Sequence, residues 1–335
     1  MLKCFVGHRR YIGVCRFVGL RRVVGLCCHP EPKAKDLGQI HVSAALKKPQ
    51  RRLGIHIRTA GGLLKGARHA ADIGCTTFQI MSGNPSAWNP GVLDPGLGAG
   101  FGAYLDEHDI RPVFLHAGYL INLSCRSGRN APIYAKSVKL LQANIDRAEA
   151  LTCEYVVFHL GSRRGSGVDE SLAALIGGLA RLRVSWTALL IENGAGSGDT
   201  VGSTLAELAA VLDAAAARGI EAPLGVCLDT AHMWGAGYDL SSAAAARRVV
   251  KEFDETVGID RLKLIHFNDS PVARGSLKDR HEHIGRGVMT REGLRAIARH
   301  PRLGQVPLIL ETPGAENPSD EERMRDLREI AGVKG

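Results

Sequence analysis

The chain has 335 residues, 45% of them hydrophobic, and a formal net charge of +9. This length allows a large buried core in one or two domains, and no apolar run approaches the roughly 18 residues of a membrane span. We therefore expect a cytoplasmic protein that binds no membrane. The charge does not by itself indicate nucleic-acid binding, because residues 1–52 hold 12 Lys or Arg against 2 Asp or Glu, whereas residues 53–335 hold 31 against 32.

Residues 1–52 also differ in composition from the remainder of the chain. They are rich in Arg, Cys and Gly and show no sustained helical or strand periodicity. Arginines interrupt the apolar stretch that a secretory signal would need. We expect a disordered extension or translated sequence upstream of the true start, with an organellar transit peptide as a further alternative. A single folded domain is predicted for residues 53–335.

From Leu53 onward, short apolar runs alternate with amphipathic segments. Strands are predicted at residues 53–57, 76–81, 112–115, 155–159, 188–192, 225–229, 262–266 and 307–311. Helices are predicted at residues 61–73, 101–108, 137–151, 172–182, 204–217, 243–257 and 321–330, the fifth starting at a capping box of Thr204 and Glu207.

Eight strands that alternate with helices predict a parallel sheet closed into a (β/α)₈ TIM barrel. An open doubly wound sheet is the alternative. Residues 59–62 follow the first strand without the GxGxxG spacing of a dinucleotide site, which argues against that alternative.

Residues of the types that can ligate metal ions, namely His, Asp and Glu, lie at the ends of these strands or in the loops that follow. They are His116, His159, Glu192, Asp229, His232, His266, Asp279, His281 and Glu311. The carboxyl ends of barrel strands meet at one face, so we expect these side chains to converge. One ion uses about four protein ligands, and nine ligands with bridging carboxylates therefore predict three ions.

Imidazole and carboxylate ligands without thiolate favour Zn²⁺, with Mn²⁺ or Fe²⁺ as an alternative at an oxygen-richer position. Several clustered divalent ions suit phosphodiester hydrolysis, because they polarise the phosphoryl oxygen, generate hydroxide and stabilise the leaving oxygen. The ions would also supply the positive charge that residues 53–335 lack.

Several segments resemble the endonuclease IV family of apurinic/apyrimidinic (AP) endonucleases, and together they extend from about Leu53 to the C-terminus. They are residues 116–123 (HAGYLINL), 191–196 (IENGAG), 228–232 (LDTAH) with 236–239 (AGYD), 266–270 (HFNDS), 279–281 (DRH) with 284–285 (IG), and 310–313 (LETP). The Asn-Gly-Ala-Gly at residues 193–196 differs slightly from the usual Asn-Thr-Ala-Gly of the family.

The resemblance implies a three-zinc TIM barrel that acts in the cytoplasm on duplex DNA containing abasic sites or blocked 3′ ends. It implies a monomer that would be nucleoid-associated in a prokaryote. A bridging hydroxide would cut 5′ to the abasic site and leave a 3′-hydroxyl and a 5′-deoxyribose phosphate, with Glu192 and Glu311 as catalytic carboxylates.

The same resemblance divides the nine ligands among three ions. The first ion would have His116, His159 and Glu192; the second would share Glu192 and have Asp229, His266 and Glu311; the third would have His232, Asp279 and His281.

The expected DNA contacts lie in loops after the strands. They are the aromatic residues Tyr119 and Trp88 and the basic residues Arg163, Arg164, Arg280 and Arg286. Family members often carry Arg or Gln in the loop at residues 84–88, where this chain has the small residues Ser86 and Ala87. Tyr119 is therefore the better candidate for entering the DNA stack, and contacts from basic loops would make binding sensitive to salt.

Two other functions remain open from the sequence. A sugar isomerase or epimerase on a xylose-isomerase-like barrel would need only the single-metal set of Glu192, Asp229, His266 and Glu311. It would leave the other five ligands unexplained. A catalytically inert protein that binds DNA lesions would retain the fold but make no nick.

Overall fold

The computed structural model describes residues 50–81, 83–89, 91, 93, 95–314 and 317–333. The extension predicted at residues 1–52 lies outside these described residues except for its last three positions. Arg51 is buried, and its Nε donates to the carbonyl oxygen of Val306 at 2.7 Å. Contacts with the folded body therefore begin before the first strand.

Eight parallel strands form a closed barrel in which each strand pairs with the next and the last pairs with the first. They are β1 (Leu53–Ile57), β2 (Phe78–Ile80), β3 (Val113–His116), β4 (Tyr155–His159), β5 (Ala188–Glu192), β6 (Leu224–Asp229), β7 (Leu262–His266) and β8 (Leu308–Leu310). The predicted (β/α)₈ TIM barrel is confirmed, and the open doubly wound sheet is excluded.

Helices connect the strands around the outside of the barrel. They are α1 (Leu63–Asp72), α2 (Pro95–Glu107), α3 (Ala131–Ala150), α4 (Val168–Leu179), α5 (Leu205–Ala217), α6 (Thr230–Gly235), α7 (Ala243–Thr256), α8 (Arg291–Ala298) and α9 (Asp320–Ala331). The predicted capping box at α5 is present, with Thr204 accepting from the backbone of Glu207. Among the described residues, no helix is long and apolar enough to cross a membrane.

The core has two layers because successive strand residues face opposite sides of the sheet. The larger layer lies between the strands and the helices and includes Ile55, Phe78 and Leu115. The smaller layer fills the barrel interior with residues of β3 to β8, namely Phe114, Val157, Leu190, Cys227, Leu264 and Ile309.

Two helices were not predicted, and three others, α2, α3 and α4, begin four to six residues earlier than predicted. The six-residue α6 is too short to show a helical period, and the eight-residue α8 barely exceeds two turns. The start of α2 contains glycines, which lower helix propensity, but Gly98 lies directly against the carbonyl of Ala150, where a side chain would clash. The predicted start of α3 was six residues late, because the helix begins at Ala131.

Candidate metal centre

The strand-end ligands continue the apolar layer inside the barrel. His159 lies two residues after Val157 on β4, and Glu192 lies two residues after Leu190 on β5. The same spacing relates the strand-end ligands of β3, β6, β7 and β8 to the interior residues of those strands. Because a strand repeats every two residues, these ligands point to the barrel axis immediately above the apolar layer.

The first two strands contribute to the same polar layer, which the sequence analysis missed. Ile55 and Ile57 of β1 face the helices, so His56 between them faces the interior, and by the same alternation Gln79 faces the interior on β2. The signal in the sequence was one polar residue within each apolar run, where a polar group is costly unless it has a partner. Each of the eight strands thus supplies one polar side chain at this level, on the strand itself or immediately after it.

Three groups of described side chains bring ligand atoms within 4.8 Å of one another. In the first, Nε2 of His116 and Nε2 of His159 lie 3.1 and 3.6 Å from Oε2 of Glu192. In the second, which also contains Asp229, Nδ1 of His266 lies 3.1 Å from Oε1 of Glu192 and 2.9 Å from Oε2 of Glu311. Glu192 is shared by the two groups and is buried.

The third group contains Asp229, His232 and His281, with Nε2 of His281 3.5 Å from Oδ2 of Asp229. Asp279 lies beside this group, and its Oδ1 is 3.1 Å from Nε2 of His232 and 3.4 Å from Nε2 of His281. The structure therefore brings together all nine side chains that the sequence singled out, and Asp229 lies in two of the groups.

The hydrogen bonds of four histidines test whether these groups suit a metal. In each ring one nitrogen, which we call the outer nitrogen, faces an oxygen that can only accept a hydrogen bond. Nδ1 of His116, His232 and His281 lies 2.8, 2.9 and 3.2 Å from the carbonyl oxygens of Ala117, Asn193 and Glu311, and Nε2 of His266 lies 2.8 Å from Oε1 of Gln79. Those nitrogens therefore carry protons. The other ring nitrogen of each histidine, which we call the inner nitrogen, lies near carboxylate oxygens of Glu192, Glu311, Asp229 or Asp279. An imidazole lone pair and a carboxylate repel each other unless a positive charge lies between them. A divalent cation fits this donor set.

The charges of the centre depend on one another. Burial alone would raise the pKa of the Glu192 carboxyl, but the imidazoles of His159 and His266 and hydrogen bonds from two further histidines lower that pKa well below its usual value. Burial likewise opposes the charge of Asp279, yet His232 and its neighbours lower the pKa of this carboxyl to about 2. Both groups are ionised at neutral pH, as metal ligands must be.

Neutral amide side chains hold the carboxylates in place. Asn268 donates through Nδ2 to Oδ2 of Asp229 at 2.6 Å, and its Oδ1 accepts from the backbone N–H of Glu311 at 2.8 Å. Asn193 accepts from the backbone N–H of Asp229 at 2.6 Å. Such outer contacts orient ligands and were not predicted from the sequence.

The three groups lie at the base of a cavity of about 1020 Å³. Its lining includes His116, Glu192 and Glu311 of the ligand groups, together with the basic residues Arg58 and Arg323. Asp229 and His266 are fully buried and lie outside its lining. The volume and the polar lining suit a substrate much larger than a metal ion.

Comparison with known proteins identifies the family. The sequence profile described as "Xylose isomerase-like TIM barrel" matches residues 67–330. A protein of Natranaerobius thermophilus named "Probable endonuclease 4" is 37% identical over 284 residues, covering 84% of this chain and 98% of that protein. A protein of the same name from Methanoculleus marisnigri is 39% identical over 287 residues, covering 84% of this chain and 99% of its own length. The chain belongs to the endonuclease IV family.

Solved structures agree with this assignment. Endonuclease IV from Thermus thermophilus superimposes with a TM-score of 0.73 at 34% identity, covering 84% of this chain and 99% of that chain. A D-tagatose 3-epimerase-like protein superimposes with a TM-score of 0.61 at 18% identity, covering 84% of this chain and 98% of that chain, and this likeness shows the fold alone. The resemblance to endonuclease IV drawn from the sequence is confirmed.

The two aromatic residues singled out in this endonuclease IV family member differ in position. Tyr119 lines the cavity, is 62% exposed and has its ring centroid 6.2 Å from that of His116. Trp88 lies outside the cavity lining, with Nζ of Lys136 5.7 Å from its ring centroid. The two loops nevertheless touch, because the backbone N–H of Tyr119 donates to the carbonyl oxygen of Pro85 at 2.9 Å.

The four predicted basic contacts also differ in their surroundings. Arg280 is exposed and lines the cavity, whereas Arg163, Arg164 and Arg286 lie outside its lining. Arg163 forms ion pairs with Glu207 and Asp199, and Arg286 donates to the side-chain oxygen of Asn317 at 3.1 Å. Arg164 is exposed, in a left-handed backbone conformation with φ of 49°.

Proposed function

We propose that this enzyme is a zinc-dependent AP endonuclease of DNA base excision repair. It hydrolyses the phosphodiester 5′ to an abasic site in duplex DNA, leaving a 3′-hydroxyl and a 5′-deoxyribose phosphate, and it also removes blocking groups from 3′ ends. The observation that carries this proposal is the set of three ligand groups linked by Glu192 and Asp229 at the base of one large cavity.

The proposed ligands of the three zinc ions are the nine side chains of the centre. His116, His159 and Glu192 would hold one ion, Glu192 with Asp229, His266 and Glu311 a second, and His232, Asp279 and His281 a third, with Asp229 adjacent to this last group. Bound zinc supplies Lewis acidity and an activated water for phosphodiester hydrolysis, and Mn²⁺ is an alternative at one position.

The residues of the chain orient the substrate and compensate charge. Glu192 lies between four imidazoles, so its charge is balanced within the buried centre. Glu311, at the edge of the cavity, is the second proposed catalytic carboxylate. Tyr119 would stack at the position of the missing base, which costs little because an abasic sugar has no stacking to lose.

Residues 53–335 carry almost no net positive charge, so DNA affinity would depend on the bound cations and on local arginines. We include Arg280 at the cavity and Arg164, Arg163 and Arg286 in the loops around it among the DNA contacts, together with Trp88. Binding of a monomer to the duplex is expected to weaken as salt is raised.

A duplex with one tetrahydrofuran abasic analogue and a labelled strand tests this function. We expect a nick immediately 5′ to the analogue and none in an undamaged duplex of the same sequence. Binding without a nick would identify an inert lesion-binding protein. A preparation with about one metal ion per chain that does not cut DNA but converts sugars would identify an isomerase or epimerase.

Zinc binding to the metal-free protein is expected to release protons near pH 7. Burial opposes the charged form of His232, but Asp229 and neighbouring carboxylates raise its pKa well above the usual value, and Cys227, Glu311 and Glu192 do the same for His266. Zinc needs unprotonated inner nitrogens, so its affinity should fall as pH falls. Calorimetry at pH 7 in two buffers of different ionisation enthalpy measures the release, and equal heats would contradict it.

Tyr119→Ala is expected to weaken binding to the abasic duplex by about 10- to 100-fold, because one aromatic stacking contact with a base contributes about 1–3 kcal/mol. Trp88→Ala, outside the cavity lining, is expected to have a smaller effect. Fluorescence anisotropy with abasic and intact duplexes measures both variants. An equal or larger loss for Trp88→Ala would reverse the proposed roles.

A further inference from the structure

His56 lines the same cavity as the metal centre but belongs to none of its three ligand groups. It lies on β1 with its side chain about a quarter exposed, and its Nδ1 is 3.9 Å from Oε1 of Glu311. Its Nδ1 also lies 3.0 Å from Nε2 of Gln79, whereas its Nε2 has no hydrogen-bond partner among the described residues. The ring therefore presents one nitrogen to the barrel wall and leaves the other for the cavity.

The hydrogen bonds of Gln79 fix the proton of this ring. A carboxylate only accepts, so the amide atom 2.5 Å from Oε1 of Glu311 must be the donating nitrogen of Gln79. The amide oxygen then accepts from Nε2 of His266 at 2.8 Å. The second N–H of the same amide points to Nδ1 of His56, which must accept, so the proton of the neutral imidazole is on Nε2.

The chain of contacts thus runs from a proposed metal ligand to the cavity. Nε2 of His266 donates to the amide oxygen of Gln79, and the amide nitrogen of Gln79 donates to Nδ1 of His56. The remaining N–H donor of this ring, Nε2–H, is then free for the cavity that His56 lines. Arg58 also lines the cavity, and its Nη2 donates to the carbonyl oxygen of Gly314 at 3.1 Å. The His56 donor is uncharged and is held by the barrel strands β1 and β2.

We propose that His56 binds substrate, donating a hydrogen bond from Nε2–H to a phosphate oxygen of DNA, with its tautomer set by Gln79. The proposal rests on the proposed function and adds a residue to it. An N–H donor held in a fixed tautomer stabilises a phosphoryl oxygen without adding a charge that would repel the metal ions. It also gives Gln79 a role beyond holding Glu311.

Two substitutions separate this donor role from a structural one. His56→Leu removes the donor and retains bulk, whereas His56→Gln places an amide N–H near the position of Nε2. His108→Leu is the matched control, because this ring stacks on Tyr104 outside the cavity lining. Zinc-loaded full-length proteins are titrated with inorganic phosphate, their zinc content is measured, and their cleavage of the abasic duplex is followed.

For His56→Leu we expect unchanged zinc content and a phosphate dissociation constant raised about 10- to 100-fold, the usual effect of losing a hydrogen bond to a charged group. The specificity constant kcat/KM for cleavage should fall by a similar factor, and His56→Gln should recover part of both. Nitrogen-15 spectra of the histidine rings should show His56 protonated at Nε2.

Three results would overturn the proposal: unchanged phosphate affinity in His56→Leu, loss of zinc from that variant, or a His56 ring protonated at Nδ1. The proposed function fails in a different way. If the wild-type protein makes no nick, the proposed nuclease activity is excluded. If His56→Leu nevertheless binds phosphate more weakly than the wild-type protein, the role of His56 as a phosphate donor remains supported.

Discussion

Glu192→Gln is expected to reduce cleavage of the abasic duplex by at least about a thousandfold. Each factor of ten corresponds to about 1.4 kcal/mol of barrier, and correctly held metal ions contribute several kcal/mol to phosphodiester hydrolysis. The substitution changes the one buried carboxylate that faces His116, His159, His232 and His266. Single-turnover kinetics with a labelled duplex and metal analysis of the same sample measure the effect.

The control for this substitution is Glu170→Gln, which makes the same chemical change on an exposed residue of α4. It should retain wild-type cleavage and zinc content. Normal cleavage by Glu192→Gln with its full set of zinc ions would show that the proposed mechanism is wrong, because the shared carboxylate would then be dispensable.

Asp269→Ala is expected to lower the free energy of unfolding by about 3–5 kcal/mol, because several buried N–H donors lose their acceptor and each unpaired donor costs about 1–3 kcal/mol. The Asp269 carboxylate is fully buried and accepts four backbone N–H bonds, from Ser270 (2.7 Å), Gly285 (2.9 Å), Gly287 (3.2 Å) and Met289 (3.1 Å). Its removal leaves these donors unpaired in the interior. Urea unfolding measures the loss.

The same substitution should also reduce zinc content, because the Asp269 side chain accepts from Gly285, Gly287 and Met289 and so holds the loop that carries Asp279 and His281. Asp213→Ala, on the exposed face of α5, is the control and should change stability by less than about 1 kcal/mol. An Asp269→Ala protein as stable as this control would contradict the assignment of Asp269 as the anchor of the loop that carries Asp279 and His281.

The sequence was sufficient to predict the barrel and the position of the metal centre. A ligand at the end of an apolar strand, such as His159 or Glu192, has its direction fixed by the two-residue strand period and its level fixed by parallel pairing. In the structure His159 is in register with Glu192. Convergence of the strand-end ligands therefore required no knowledge of the loops, whereas Asp279 and His281 lie in the loop between β7 and α8.

What the sequence did not predict depends on contacts between distant residues. His56 and Gln79 look like single polar residues within strands, and only the closure of β1 against β2 and β8 brings them to Glu311. The ion pairs of Arg163 depend on loop packing after β4 and β5 in the same way. The helix α6 has too few residues for a period, and Asp229 caps its N-terminus by accepting from His232.

The most direct test of the central claim is a titration of zinc into the metal-free protein, with cleavage of the abasic duplex measured at each ratio. We predict that a nick 5′ to the lesion appears with full rate only as the ratio approaches three zinc ions per chain, because the nine ligands form three groups linked by Glu192 and Asp229. Full activity at one zinc ion per chain, or no nick at three, would contradict the account.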